Sequence, residues 1–198
     1  TANIKTVTDR IFDGDGNFVG YEWKYSTVTY TVTSVSLGKS RITSVSIPNT
    51  VEYIGQEAFA RCAALKTVSS SSVKSIQWGA FKNCPELETV SVANSVVYIG
   101  YEAFAYCPKF KHLNGVTSID SIADHAFRQC PSLETVGGRV RHVGYGAFAG
   151  SEKLRTAFTG MECIREKAFL GCSSLEAASV SSAKYIGEDA FSGCTALS

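Results

Sequence analysis

The residues of this chain best suited to chemistry are three histidines, seven cysteines and a short acidic loop, and their spacing argues against a catalytic or metal site. His112, His125 and His142 fall at variable polar positions, and none belongs to an H-E-x-x-H or similar ligand pattern. Asp13, Asp15 and Asn17 carry the 1-3-5 spacing of a calcium loop. Phe18 stands where that loop needs glycine and Lys24 where it needs a bidentate acid, so a hairpin turn and a weak calcium site are both open readings. Leu37-Gly38-Lys39-Ser40 matches the end of a phosphate-binding loop, but Thr33 replaces its first glycine. No G-x-S-x-G elbow is present. Cys163 stands beside Ile164 at a variable position, as an exposed thiol rather than an activated nucleophile.

The other six cysteines share one position of an internal repeat, which sets the elements that carry everything else. From residue 54 onward the pattern I-G-x-x-A-F-x-x-C-x-x-L-x-x-V recurs, anchored at Phe59, Phe81, Phe104, Phe127, Phe148, Phe169 and Phe191. A fixed period of 21 to 23 residues is the signature of a solenoid. Cys62, Cys84, Cys107, Cys130, Cys172 and Cys194 fill the same column, with Ser151 in the remaining coil. Stacked side chains point in one direction, which suits disulfide geometry badly and favours a buried column of free thiols. Tetrahedral zinc sites need paired, closely spaced ligands that this column does not offer.

Within a coil, Ile54, Ile76, Ile99, Ile122, Val143, Ile164 and Ile186 form a β-branched column that predicts a short strand. The Ala-Phe pair follows, with acids such as Glu57, Glu102 and Asp189 placed to complement a short helical turn. Pro85, Pro108 and Pro131 end that turn. Leu87, Val90 and Val92 alternate with polar residues as a second strand, and Ile42, Val45 and Ile47 match it in a partial first coil. Phe110 takes a leucine position. Ala157 and Ala178 replace valine, which predicts looser filling in those late coils. Residues 1–40 lack the repeat: residues 27–37 alternate as a strand, and residues 12–18 are a hairpin signal. They are expected to form an N-terminal β cap, with a solenoid of about seven coils over 41–198 and no cap after Ser198.

Specificity must reside in the variable columns. Lys66, Glu88, Lys111, Glu134, Arg155 and Glu176 alternate in sign, a pattern expected to neutralise itself across the stack. Trp78, Tyr101 and Tyr145 share one column, and Tyr53, Tyr98 and Tyr185 share another. These six are the candidate protein-binding residues, with packing between coils as the rival explanation.

The repeated motif, together with Pro48 in the segment S-I-P-N-T-V-E-Y-I-G, closely resembles the BspA-like leucine-rich repeats over about residues 41–198. The resemblance implies a right-handed superhelix of short parallel strands and short helical turns. It also implies a protein at the cell surface or secreted, with adhesion to a host or matrix macromolecule as its role and no catalytic residues. The repeat, the missing catalytic motifs and the resemblance together point to a non-enzymatic interaction module with no cofactor. The net charge of +1 gives nucleic acid no attraction, and no apolar run reaches membrane-spanning length. A structural spacer within a larger parent protein and a carbohydrate-binding module are the alternative readings.

Overall fold

A computed structural model describes residues 2–12, 18–28, 42–94, 96–156 and 158–198, the first two segments by their backbone. The chain divides into two units, Thr1–Ser36 and Leu37–Ser198. In the first, β1 (Ala2–Phe12) and β2 (Phe18–Val28) pair antiparallel, with Ala2 opposite Val28 and Phe12 opposite Phe18. This is the expected hairpin. Its acidic loop at Asp13, Asp15 and Asn17 lies outside the described residues, as do the glycine-lysine segment at 37–40 and most of the strand expected at 27–37.

The second unit is a parallel β-solenoid with two sheets: the coils of Ile54, Ile76, Ile99 and Ile122 contribute a strand to both, and those of Val143, Ile164 and Ile186 to one. The seven-stranded sheet runs in chain order through β4 (Tyr53–Ile54), β6 (Ser75–Ile76), β8 (Tyr98–Ile99), β10 (Ser118–Ile122), β12 (Arg139–Val143), β13 (Cys163–Ile164) and β14 (Tyr185–Ile186). The five-stranded sheet holds β3 (Ser44–Ile47), β5 (Thr67–Ser70), β7 (Thr89–Ser91), β9 (His112–Asn114) and β11 (Thr135–Val136). Every pair within these sheets is parallel and joins equivalent residues, such as Val68 with Val90 and Ile76 with Ile99.

The Ala-Phe segment is a ladder of tight turns, and no helix occurs among the described residues. Alternate amides divide their bonds. The amides of Ala80 and Lys82 donate within the coil to Gln77 and Gly79, while those of Gly79, Phe81 and Asn83 donate to Tyr101, Ala103 and Ala105 of the next coil. Two residues per coil adopt left-handed φ, such as Glu102 at 50° and Tyr106 at 61°. That conformation breaks an α-helix, so the expected helical turns give way to turns that bond sideways. The acids Glu57, Glu102 and Asp189 occupy left-handed positions and meet no helix amino end.

Coil stacking makes the core. The seven anchoring phenylalanine rings form one column with centroids 5.0 to 5.3 Å apart and planes within 15° of parallel. Phe110 adds a ring 4.7 Å from Phe104. The coil of Ala157 is not loosely filled, whereas in that of Ala178 the alanine is only partly buried. The chain slips by one residue, and Phe158 lies fully buried 5.2 Å from Phe148 and 5.5 Å from Phe169. The slip also ends the five-stranded sheet, because the amide of Val136 bonds the hydroxyl of Thr156 in place of a backbone partner.

Candidate functional site

The motif cysteines face inward. The described residues contain no disulfide, and each cysteine after Cys62 in this column donates its thiol to the phenylalanine carbonyl one coil back. Cys130 Sγ lies 3.0 Å from the carbonyl of Phe104. Ser151 Oγ makes the same contact with Phe127, also at 3.0 Å. Burial pushes the Cys130 thiol up to about 12, so it stays protonated and able to donate. The column is therefore structural. Cys163 is half-buried and its thiol is also raised, first by burial, which disfavours the thiolate a nucleophile needs.

The histidines are dispersed. His112 sits on β9 with Nδ1 3.2 Å from the Thr135 hydroxyl, His142 sits on β12, and His125 belongs to the turn ladder. Among the described residues, no three His, Cys, Asp or Glu side chains cluster to hold a metal ion.

The predicted charge ladder does not form ion pairs. Among the described residues, none of Lys66, Glu88, Lys111, Glu134, Arg155 and Glu176 has an opposite charge within 4 Å. The working ladder stands two residues before the isoleucine column. Lys74 meets Glu52 at 2.6 Å; Arg141 reaches Asp120 at 3.2 Å and Glu162 at 2.9 Å; Lys184 reaches Glu162 at 3.1 Å. Hydrogen bonds from Arg141 and then Lys184 hold the Glu162 carboxyl down at about 2. Asp120, Arg141, Glu162 and Lys184 thus run across four coils and leave the flank of the seven-stranded sheet with little net charge.

The two aromatic columns differ in kind. Along the seven-stranded sheet, Tyr53 pairs with Ser75, Tyr98 lies between Ser75 and Ser121, and Tyr185 pairs with Cys163. A small residue separates each ring from the next ring in its column, so these three form no common surface. Burial, and then the Asp124 carboxylate, push the Tyr98 phenol up to about 12. Tyr185 donates its hydroxyl to Glu166.

Trp78, Tyr101 and Tyr145 lie on the turn ladder, where side chains of successive coils stand side by side. Trp78 is 45% exposed and Tyr101 43%, and their rings meet edge to face at 6.4 Å. Asp124 interrupts this column in the next coil. His125, one residue later and left-handed, fills the gap with its ring 5.9 Å from Tyr101 and 5.1 Å from Tyr145. Asp124 instead accepts the amide of Tyr145 at 2.8 Å, which fixes the end of the row. Trp78, Tyr101, His125 and Tyr145 form one ridge across four coils. Sequence reading missed His125, although an aromatic ring directly after the interrupting Asp124 was the available signal.

Comparison with known proteins agrees with this architecture. The sequence profile described as "BspA type Leucine rich repeat region" matches six copies over residues 31–155 and 138–198. A leucine-rich repeat protein from Eubacterium ventriosum superposes with a TM-score of 0.57 at 24% identity, over 76% of this chain and 42% of its own. The Treponema pallidum leucine-rich repeat protein gives 0.52 at 22% identity, over 82% of this chain and 80% of its own. The chain therefore spans less than half the length of the first of these relatives. Comparison with curated protein sequences finds no match. The repeat profile extends over most of the chain, and its cysteine, phenylalanine and isoleucine columns are the ones that build the coils: the chain belongs to the BspA-type leucine-rich repeat family.

Proposed function

We propose that this chain is a non-enzymatic protein-interaction module, displayed at the cell surface or secreted, that adheres to a host or matrix protein through its turn face. The observation that carries the reading is the ridge of Trp78, Tyr101, His125 and Tyr145. A row of large, partly exposed rings with few rotatable bonds is the composition of interface hot spots. The ridge rests on backbone bonded to both neighbouring coils, so binding costs little ordering. The ion-paired flank of the seven-stranded sheet offers a partner far less. Residues 1–40 serve in the same proposal as the N-terminal cap of the array.

The experiment is binding to a panel of purified matrix proteins, with a glycan panel beside it. Trp78→Ala and Tyr101→Ala are expected to weaken capture of a matrix protein at least tenfold each while circular dichroism stays unchanged. Lys111→Ala and Glu134→Ala are expected to change it less than threefold. Their column alternates in sign at roughly 5 Å intervals, shorter than the roughly 8 Å screening length, so its field cancels at a distance. Loss of binding in the charge variants with full binding in the aromatic ones refutes the reading. Capture by glycans alone assigns the ridge to carbohydrate.

A further inference from the structure

At the far end of the ridge the turn face opens into a notch of about 370 Å³. Its floor is one coil, where Gly146, Ala149 and Gly150 occupy three columns that carry larger side chains in the coil before. His125, Arg128 and Gln129 of the preceding coil make one wall, and Lys167 and Leu170 of the following coil make the other. Walls two coils apart are separated by about 10 Å at the usual strand spacing. An extended peptide fits that width and a folded surface does not.

The chemistry of the lining is one-sided. Arg128 and Lys167 stand on opposite walls, no acid lines the notch, and neither cation has an ion-pair partner among the described residues. The nearby carboxylates are engaged elsewhere: Asp124 with the Tyr145 amide and Arg165, Glu166 with Tyr185 and Arg165. The floor cannot bind an anion through its backbone, because the amides of Gly146 and Gly150 already donate to Glu166 and Leu170 of the next coil. Recognition falls to side chains. His125 Nδ1 is buried at the notch wall with no hydrogen-bond partner, its ring lying against Gly146. Leu170, at 36% exposure, and Tyr145 add apolar surface that an inorganic anion would leave unused.

We propose that this notch docks an extended acidic peptide segment, with an Asp or Glu between Arg128 and Lys167 and an adjacent apolar side chain against Leu170 and Tyr145. The proposal rests on the reading of the turn face as a protein-binding surface, and it names the chemistry of the segment bound at one end. A guanidinium and an ammonium on opposite walls select a carboxylate in the middle, and an unpaired charge gains more from a new partner than one already satisfied.

The test titrates the protein with a labelled hexapeptide, Gly-Phe-Glu-Asp-Phe-Gly blocked at both ends. The same peptide with Gln and Asn for its acids and an oligosaccharide of glucuronic acid are titrated in parallel. The acidic peptide is expected to bind at least tenfold more tightly than its amide analogue and to weaken as salt rises. Arg128→Glu combined with Lys167→Glu is expected to lose at least tenfold, and Ala149→Trp, which fills the floor, to lose binding as well. Equal binding of the two peptides, an unaffected double variant, preference for the oligosaccharide, or no binding of any probe each overturns the proposal. If the notch fails while Trp78→Ala and Tyr101→Ala still abolish capture of a matrix protein, the ridge reading stands alone.

Discussion

At Cys130 a side chain is chosen for one hydrogen bond. In this coil the carbonyl of Phe104 is buried, and the thiol one coil ahead supplies its donor at 3.0 Å. A small side chain that can donate suffices, which explains why Ser151 replaces cysteine without disturbing the stack. Free cysteine serves because its sulfur also packs as a hydrophobe. Cys130→Ala leaves that carbonyl unsatisfied and is expected to cost about 1–3 kcal/mol, the penalty of a buried acceptor without a partner. Cys130→Ser restores a donor and is expected to recover most of that loss. Urea denaturation of the two variants beside the parent measures the difference, and equal stability of the pair would show the column to be packing alone.

The element that repeats is a pair of coils. The residue before the isoleucine column reads Tyr53, Ser75, Tyr98, Ser121, His142, Cys163, Tyr185, large and small in turn. The residue after it reads Gly55, Gln77, Gly100, Ala123, Gly144, Arg165, Gly187, glycine in every coil whose preceding position is large. Three of those glycines, Gly100, Gly144 and Gly187, are pressed onto the coil behind them: a Cβ on Gly144 would lie 2.5 Å from the Asp124 amide nitrogen, and one on Gly187 2.4 Å from that of Glu166. Gly144→Ala is therefore expected to cost about 1–3 kcal/mol by overpacking. Ala123→Gly, in the alternate coil, is expected to cost under about 1 kcal/mol, the backbone entropy of glycine. Thermal denaturation of both variants tests the alternation, and equal losses would contradict it. The solenoid, its strands and its inward columns were legible in the sequence because one-coil periodicity acts on apolar residues, which burial sorts strictly. The left-handed turns were only partly legible: Gly79, Gly146, Gly150, Gly171 and Gly193 stand in the two turn columns, but Glu102 and Tyr106 in the same columns do not announce positive φ, and sideways bonding to the next coil imposes it. The working ion-pair column was missed because alternating sign marks two columns, and contact between coils distinguishes them. The aromatic ridge was half legible: Trp78, Tyr101 and Tyr145 share a column, whereas His125 enters from the next one.

Across the whole molecule, each coil is held by its neighbours more than by itself. A coil presents an anchoring phenylalanine, the isoleucine, leucine and valine columns of the motif and a row of amides, and most of their partners belong to adjacent coils. Stability is then a sum of contacts between neighbours, and it must fall toward an end. The structure gives this gradient a measurable form. Phe127 is fully buried and its ring stacks on Phe104 at 5.0 Å, on Phe148 at 5.1 Å and near Phe110 at 6.3 Å. Phe191, in the last described coil, is partly buried, and its ring has one stacking partner, Phe169, at 5.2 Å. Removing a central ring forfeits its burial and leaves a cavity whose walls are fixed by coils on both sides, so Phe127→Ala is expected to cost about 3–5 kcal/mol. The coil of Phe191 has a described neighbour on one side and can relax or fray around the loss, so Phe191→Ala is expected to cost about half as much or less. Hydrogen exchange separates the two cases as well as denaturation does: Phe191→Ala should speed exchange only in its own coil and the preceding one, while Phe127→Ala should lower protection throughout. Equal destabilisation at both positions would mean that the array unfolds as a single unit with no gradient along its axis.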